Sequence, residues 1–247
     1  MKKYYLIGPI ILFLLWLAAA ELQLVDKFFL PGPITTLGEL FRLLITGAVI
    51  PDLLLTFERV LLAFAIALII GLPIGLLLGQ SEKAYRSSEF IIDFFRSTPA
   101  TALFPLFLLI FGISDLSKIA VTAFAGALII IFNTAYGVMH AKKSRLLAAK
   151  IMGASRTQIF RSILFWESLP QTFVGLRSAV SISLIIIIIT EMFIGTTAGL
   201  GRRIIDSQIT YEIKTLYATI LFAGILGYLL NLIFLTIEKR YLHWSGK

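Results

Sequence analysis

Cysteine is absent from the 247 residues. That excludes disulfide bonds and thiolate chemistry, and leaves the redox compartment open. Histidine is nearly absent: His140 and His243 stand far apart, with no HExxH and no carboxylate cluster, so no metal ligand set is offered. No GxSxG elbow occurs, which removes a hydrolase nucleophile. No phosphate-binding GxxxxGK[ST] occurs either, so ATP hydrolysis by this chain is not expected. The Gly-rich run Gly195 to Gly201, GTTAGLG, lacks the Lys-Ser/Thr of that motif and predicts a turn or gate loop with left-handed backbone. Charge is scarce, at 15% of residues. The basic residues flank apolar runs instead of forming one stripe, which argues against nucleic acid.

What the chain has is apolar length. Hydrophobic residues make up 58% and mean hydropathy is +0.93, far above a soluble domain. The expectation is an all-α integral membrane protein, one helical domain over 1–247, with six spans at about 5–22, 58–79, 98–112, 118–138, 170–194 and 215–237. Met1-Lys2-Lys3 before an apolar run resembles a leader. However, Glu21-Leu22-Gln23 follows Ala18 to Ala20 without turn chemistry, so a retained first span is expected. Tyr4, Tyr5 and Trp16 are candidate interfacial anchors, and Thr35 or Thr36 is placed to cap an amphipathic helix running to Gly47.

Charge bias sets the orientation. Of the 22 Lys and Arg, fourteen fall on one face, including Lys2, Lys3, Arg96, Arg145 and Lys247. Seven fall on the other, including Arg59, Lys118 and Arg203, and Arg177 lies within a span. The richer face is expected to be cytoplasmic, with both termini on it.

Within the spans, Gly71, Gly75 and Gly79 recur every four residues, a bare stripe for close helix packing, with a dimer seam as the alternative. Glu58 and Arg59 are expected at the mouth of that span, and Pro73 is expected to kink it. The third span opens at Thr98-Pro99, is short, and must be kinked or incompletely crossing. Such backbone at membrane depth is tolerated only against protein or a water-filled cavity, which makes the stretch a pathway candidate. Asn133 is expected to bond between helices. The fifth span carries Arg177, Ser181, Thr190 and Glu191, read either as a polar path lining or as pins between helices. Arg177 and Glu191 stand ~21 Å apart along a helix, so each needs its own partner.

Between the fourth and fifth spans, loop 140–169 holds a polar island, LAAKIMGASRTQIFRSILFWESLP from Leu147 to Pro170. Its apolar residues recur near helical spacing, interrupted at Gly153-Ala154-Ser155, which predicts two short helices outside the bilayer, meeting at Gly153.

Ala148-Ala149, Gly153-Ala154-Ser155 and Leu169-Pro170, with Gly175-Leu176-Arg177 behind them, resemble the EAA signature of ABC importer permeases. The run RSTPATALFPLFLLIFGISDLSKI resembles the same family, in its nitrate/sulfonate/taurine/bicarbonate branch. Leu147 stands where the family usually has the signature Glu, and Phe165-Trp166 where it often has a first Leu-Pro. The resemblance implies that the island is a cytoplasmic coupling helix, with Ala148, Ala149, Gly153, Ala154, Ser155 and Pro170 coupling to an ATPase; the residues themselves place Arg177, Ser181, Thr190, Glu191, Thr98 and Pro99 as candidates to border the path. It further implies a homodimer in a bacterial-type inner membrane, two ABC ATPase subunits that carry the ATP and Mg, and an extracytoplasmic solute-binding protein. No cofactor is expected on this chain. The substrate is expected to be a small anion such as nitrate, bicarbonate or a sulfonate, with a thiamine precursor as the alternative. From other classes, a stand-alone secondary transporter or channel would show an acidic relay or an inverted repeat, and a scaffold would leave the polar fifth span unexplained.

Overall fold

The structure, a computed structural model, describes residues 6–193 and 195–242. Tyr4, Tyr5 and His243 lie outside the described residues, as do Lys2, Lys3 and Lys247 of the charge bias and Ile194 of the fifth span. Among the described residues all regular structure is helical: α1 (Ile7–Glu21), α2 (Pro33–Ile45), α3 (Ile50–Gly79), α4 (Glu82–Ser97), α5 (Ala100–Phe111), α6 (Asp115–Met139), α7 (Lys143–Ile151), α8 (Arg156–Ile159), α9 (Phe165–Glu191), α10 (Leu200–Ile209) and α11 (Ile213–Tyr241). A π-helical turn, Phe160–Leu164, joins α8 to α9.

Four helical stretches are long and apolar enough to cross a bilayer: Ile50–Gly79, Asp115–Met139, Arg156–Glu191 and Ile213–Tyr241. A fifth arises if α4 and α5, bent by 94°, form one broken span. The short third span is therefore half of an elbow. α1 is apolar, but its 15 residues extend only ~22 Å, short of the ~30 Å hydrocarbon core.

Two compact units divide the chain: Met1–Leu55 with Glu191–Leu226, and Thr56–Thr190 with Gly227–Lys247. In the first, Trp16 donates from Nε1 to the Pro31 carbonyl (3.1 Å) and stacks on Tyr217 at 6.1 Å. α2 begins at Pro33, whose fixed φ suits the first helical position, with extended Gly32 before it. Thr35 and Thr36 do not cap that start. Their hydroxyls donate back to the Gly32 carbonyl. Glu39 accepts from Arg42 Nε (2.7 Å) and from Thr215 (3.1 Å), tying α2 to α11. The Arg42 hydrogen bond outweighs burial and holds the Glu39 carboxyl below its ordinary value.

In the second unit, the glycine stripe of α3 meets α6. A Cβ on Gly71, Gly75 or Gly79 would lie 2.9, 2.9 or 2.8 Å from the carbonyl oxygens of Ala127, Ile131 or Ala135. Only bare backbone permits that approach. α3 starts at Ile50 and runs through Pro73, so the helix begins N-terminal to the expected span and carries Glu58 and Arg59 within it. Arg59, only 4% exposed at its side chain, pairs with Asp115 at 2.8 Å, and Lys118 takes the same carboxylate oxygen at 2.8 Å. Asn133 bonds within and between helices: its Nδ2 donates to the Ile129 carbonyl, and its Oδ1 accepts from Gln171 of α9. α9 likewise extends N-terminal to its expected start and contains Pro170.

Candidate functional site

The hairpin of α7 and α8 is built from two caps placed back to back. Gly153 has φ +76°, left-handed backbone. Across it, the Ala154 N–H donates to the Ala149 carbonyl and the Gly153 N–H to that of Lys150, each at 3.0 Å. This pair of bonds closes a helix through a glycine and satisfies carbonyls that the helix end would otherwise leave open. Ser155 then opens α8 reciprocally. Gln158 N–H donates to Ser155 Oγ (3.3 Å), and Ser155 N–H donates to Gln158 Oε1 (2.7 Å). A Cβ at Gly153 would meet nothing within 4 Å, so glycine is required by the backbone and not by packing. With both helix ends capped and only Met152 to Ser155 between them, the hairpin is stiff.

This hairpin is anchored at its root. Arg145 pairs with Glu167, whose other carboxylate oxygen accepts from the Lys142 N–H at 3.4 Å. Its side facing away is bare: Leu147, Ile151 and Met152 are 59%, 86% and 78% exposed, and Ala148 lies exposed among them. Leu147–Ile151 and Ala148–Met152 are two adjacent i,i+4 rows, hence one apolar stripe.

The polar residues of α9 find separate partners. Arg177 Nη1 stands 3.6 Å from Glu238 Oε2 of α11. Ser178 and Ser181 are exposed, and their hydroxyls donate one turn back to the Val174 and Arg177 carbonyls. Thr190, fully buried, donates to the Ile187 carbonyl.

Glu191 is also fully buried. Its carboxylate accepts the Gly201 N–H (3.0 Å) in the first turn of α10, where a negative charge complements the helix dipole. A second carboxylate holds the same loop: Asp52 of α3 accepts the Gly199 N–H at 2.8 Å and Arg203 Nε at 2.6 Å. Arg203 also donates to the Ala48 carbonyl. Gly199 has φ +132°, and a Cβ there would stand 2.5 Å from the Glu191 carboxyl carbon. The Gly-rich loop is thus fixed by two carboxylates reading its backbone. Asp52 and Arg203 escape sequence reasoning because their pairing spans 151 residues. The only local signal is an acid in the first turn of a helix.

Thr98 and Pro99 lie at the α4–α5 elbow, where they border a cavity of about 330 Å³ together with Arg96 and Ile182. Thr98 Oγ1 donates to the Phe94 carbonyl.

Residues 68–242 match the family model described as binding-protein-dependent transport system inner membrane component. Over 218 residues the chain is 29% identical to a probable ABC transporter permease protein of Brucella abortus, covering 88% of this chain and 87% of that one. It is 27% identical to the taurine transport system permease protein TauC of Escherichia coli, covering 96% and 88%. Identity to the nitrate import permease protein NrtB of Synechocystis is 28%, covering 71% and 64%. In three dimensions it is similar to a chain of the MetNI methionine ABC transporter in an inward-facing conformation, with a TM-score of 0.65 at 22% identity over 78% of this chain and 95% of that one.

Proposed function

We propose that this chain, which belongs to the binding-protein-dependent transport system inner membrane components, is the permease subunit of an ATP-driven importer for a small anion. One observation carries the reading: the family match spans a doubly capped, root-anchored hairpin whose stripe of Leu147, Ala148, Ile151 and Met152 lies exposed among the described residues. An apolar helix face of that kind fits a groove on another subunit. That subunit is an ATPase carrying ATP and Mg, which docks on the cytoplasmic side. Two copies of the chain, each with six spans when α1 crosses together with the residues flanking it and with both termini cytoplasmic, enclose the path between them in an inner membrane.

In this reading, ATP-driven closure of two ATPases draws the two hairpins together. A stiff hairpin transmits that displacement where a flexible loop would absorb it. The bundles rock and alternate access, and an extracytoplasmic binding protein delivers the solute. Arg177, Ser178 and Ser181 border the inner part of the path. Glu191 serves by fixing the loop before α10. The relative named for nitrate supports an anionic solute for this chain, and the one named for taurine a solute with a sulfonate group.

The test is ATP hydrolysis and solute uptake by the chain reconstituted in lipid with its co-purifying ATPase, comparing Gly153 with Gly153→Pro. Proline cannot adopt φ +76°. Hydrolysis without uptake in the variant is the expected result. Normal uptake by the variant, or no co-purifying ATPase, overturns the reading.

A further inference from the structure

The elbow of α4 and α5 bends by 94° and shelters a cavity of about 330 Å³. That volume is at the low end for small-molecule pockets, which run roughly 300–1,000 Å³. One wall is α6 between Phe124 and Ile129. These residues lie ~14–21 Å along a helix ~38 Å long, close to its middle. A charge count along the sequence sets Arg96 at a membrane face. Arg96, 34% exposed at its side chain, also meets α6: its guanidinium stacks over the Phe132 ring at 3.7 Å.

The wall has one sign of charge. Arg96 is its single ionisable residue, Thr98 and Thr101 supply hydroxyls, and no carboxylate lines it. Asp93 meets Arg96 Nη1 at 3.3 Å, but it stands outside the wall and is 56% exposed at its side chain. Among the described residues this is the one hydrogen bond Arg96 makes to another side chain. The remaining wall is apolar, including Leu103, Leu128 and Ile182.

We propose that this cavity holds a small oxyanion in transit, with Arg96 as the residue that recognises it. A guanidinium presents paired donors to the oxygens of a sulfonate, carboxylate or nitrate group. The Thr101 hydroxyl donates to a further oxygen, and the Leu103 and Ile182 side accommodates a short apolar substituent. The Phe132 ring fixes the plane of the guanidinium. A cationic solute finds a like charge, and the carboxylate beside it, Asp93, is already paired with Arg96. The site rests on the permease reading and assigns its recognition step to a residue on the elbow.

The chain has no cysteine, so one introduced thiol reports on the cavity alone. Thr101→Cys in the full chain, reconstituted in lipid with and without its ATPase, is treated with methanethiosulfonates carrying an ethylsulfonate or an ethyltrimethylammonium group. Rates are normalised to those with a free thiol in water. The sulfonate reagent should react about tenfold faster than the ammonium reagent, a modest effect for one nearby charge. Arg96→Gln should abolish the bias, and Arg96→Lys should keep most of it, which separates lost charge from lost folding. No bias, a bias that survives Arg96→Gln, or no reaction with either reagent in any nucleotide state overturns the proposal. Failure of the permease reading shows separately, as rates indifferent to ATP or as a missing ATPase, while the charge bias is still read on the chain itself.

Discussion

Glu191 accepts a hydrogen bond from the backbone N–H of Gly201, 3.0 Å away, at full burial. A buried carboxylate is tolerated only when it is partnered, and this one is committed to the loop between α9 and α10. Glu191→Ala should remove that support and leave a buried donor unmatched, costing about 1–3 kcal/mol. Gly199→Ala should cost at least as much, since its Cβ would stand 2.5 Å from the Glu191 carboxyl carbon at φ +132°. Thermal unfolding in detergent reads both variants. A melting temperature unchanged in either one would contradict the clamp.

The glycine stripe gives a prediction with its own control. Gly75→Ala places a Cβ 2.7 Å from Thr134 Cβ and 2.9 Å from the Ile131 carbonyl oxygen. α3 and α6 must then part, at a cost of about 1–3 kcal/mol for overpacking. Gly224, inside α11, has nothing within 4 Å of its Cβ position. Gly224→Ala should therefore stabilise by roughly 0.5–1 kcal/mol through helix propensity alone. Opposite shifts of the unfolding midpoint are expected. Equal shifts would mean that the stripe is not a packing surface.

Helical class was legible because apolar runs of bilayer length have few other solutions. Gly153 was legible as a turn because Gly-Ala-Ser interrupts a helical pattern, although the second cap needs Gln158 as well. The start of α3 was not legible. Asp52, Glu58 and Arg59 look like a polar boundary, but Asp52 and Arg59 are matched by distant partners: Asp52 by Gly199 and Arg203, Arg59 by Asp115. The same holds for Arg96. No local pattern says that the chain turns 94° after it. Bonds between residues this far apart in the chain leave no mark on neighbouring sequence.

Acid should loosen the attachment of α2. The hydrogen bond from Arg42 holds the Glu39 carboxyl below its ordinary value, with Thr215 adding to it. A carboxyl depressed in the folded state contributes stability above its unfolded pKa of about 4.3, and that contribution is lost as pH falls through the lower folded value. Between pH 7 and about 5, hydrogen exchange in Pro33–Ile45 should be flat after correction for intrinsic rates. Below about pH 4.3 protection should fall. Glu39→Gln should start lower and lose that acid limb. A variant with the same acid limb as the parent would assign the loss to another group.

The stiffness of the α7–α8 hairpin is separable from its fold. Ser155→Ala deletes one side of the reciprocal cap, worth about 1 kcal/mol at a helix start. The cap lies on an exposed loop, so the global unfolding midpoint should move little, whereas local opening of the hairpin should rise about fivefold at that energy. Ser155→Asp keeps an oxygen acceptor for the Gln158 N–H and should behave like the parent. In lipid with the ATPase present, Ser155→Ala should lower solute moved per ATP hydrolysed while hydrolysis itself continues, and Ser155→Asp should restore it. Loss of both activities together would point to failed docking of the apolar stripe. An unchanged ratio in Ser155→Ala would show that docking strength, and not stiffness, transmits the stroke.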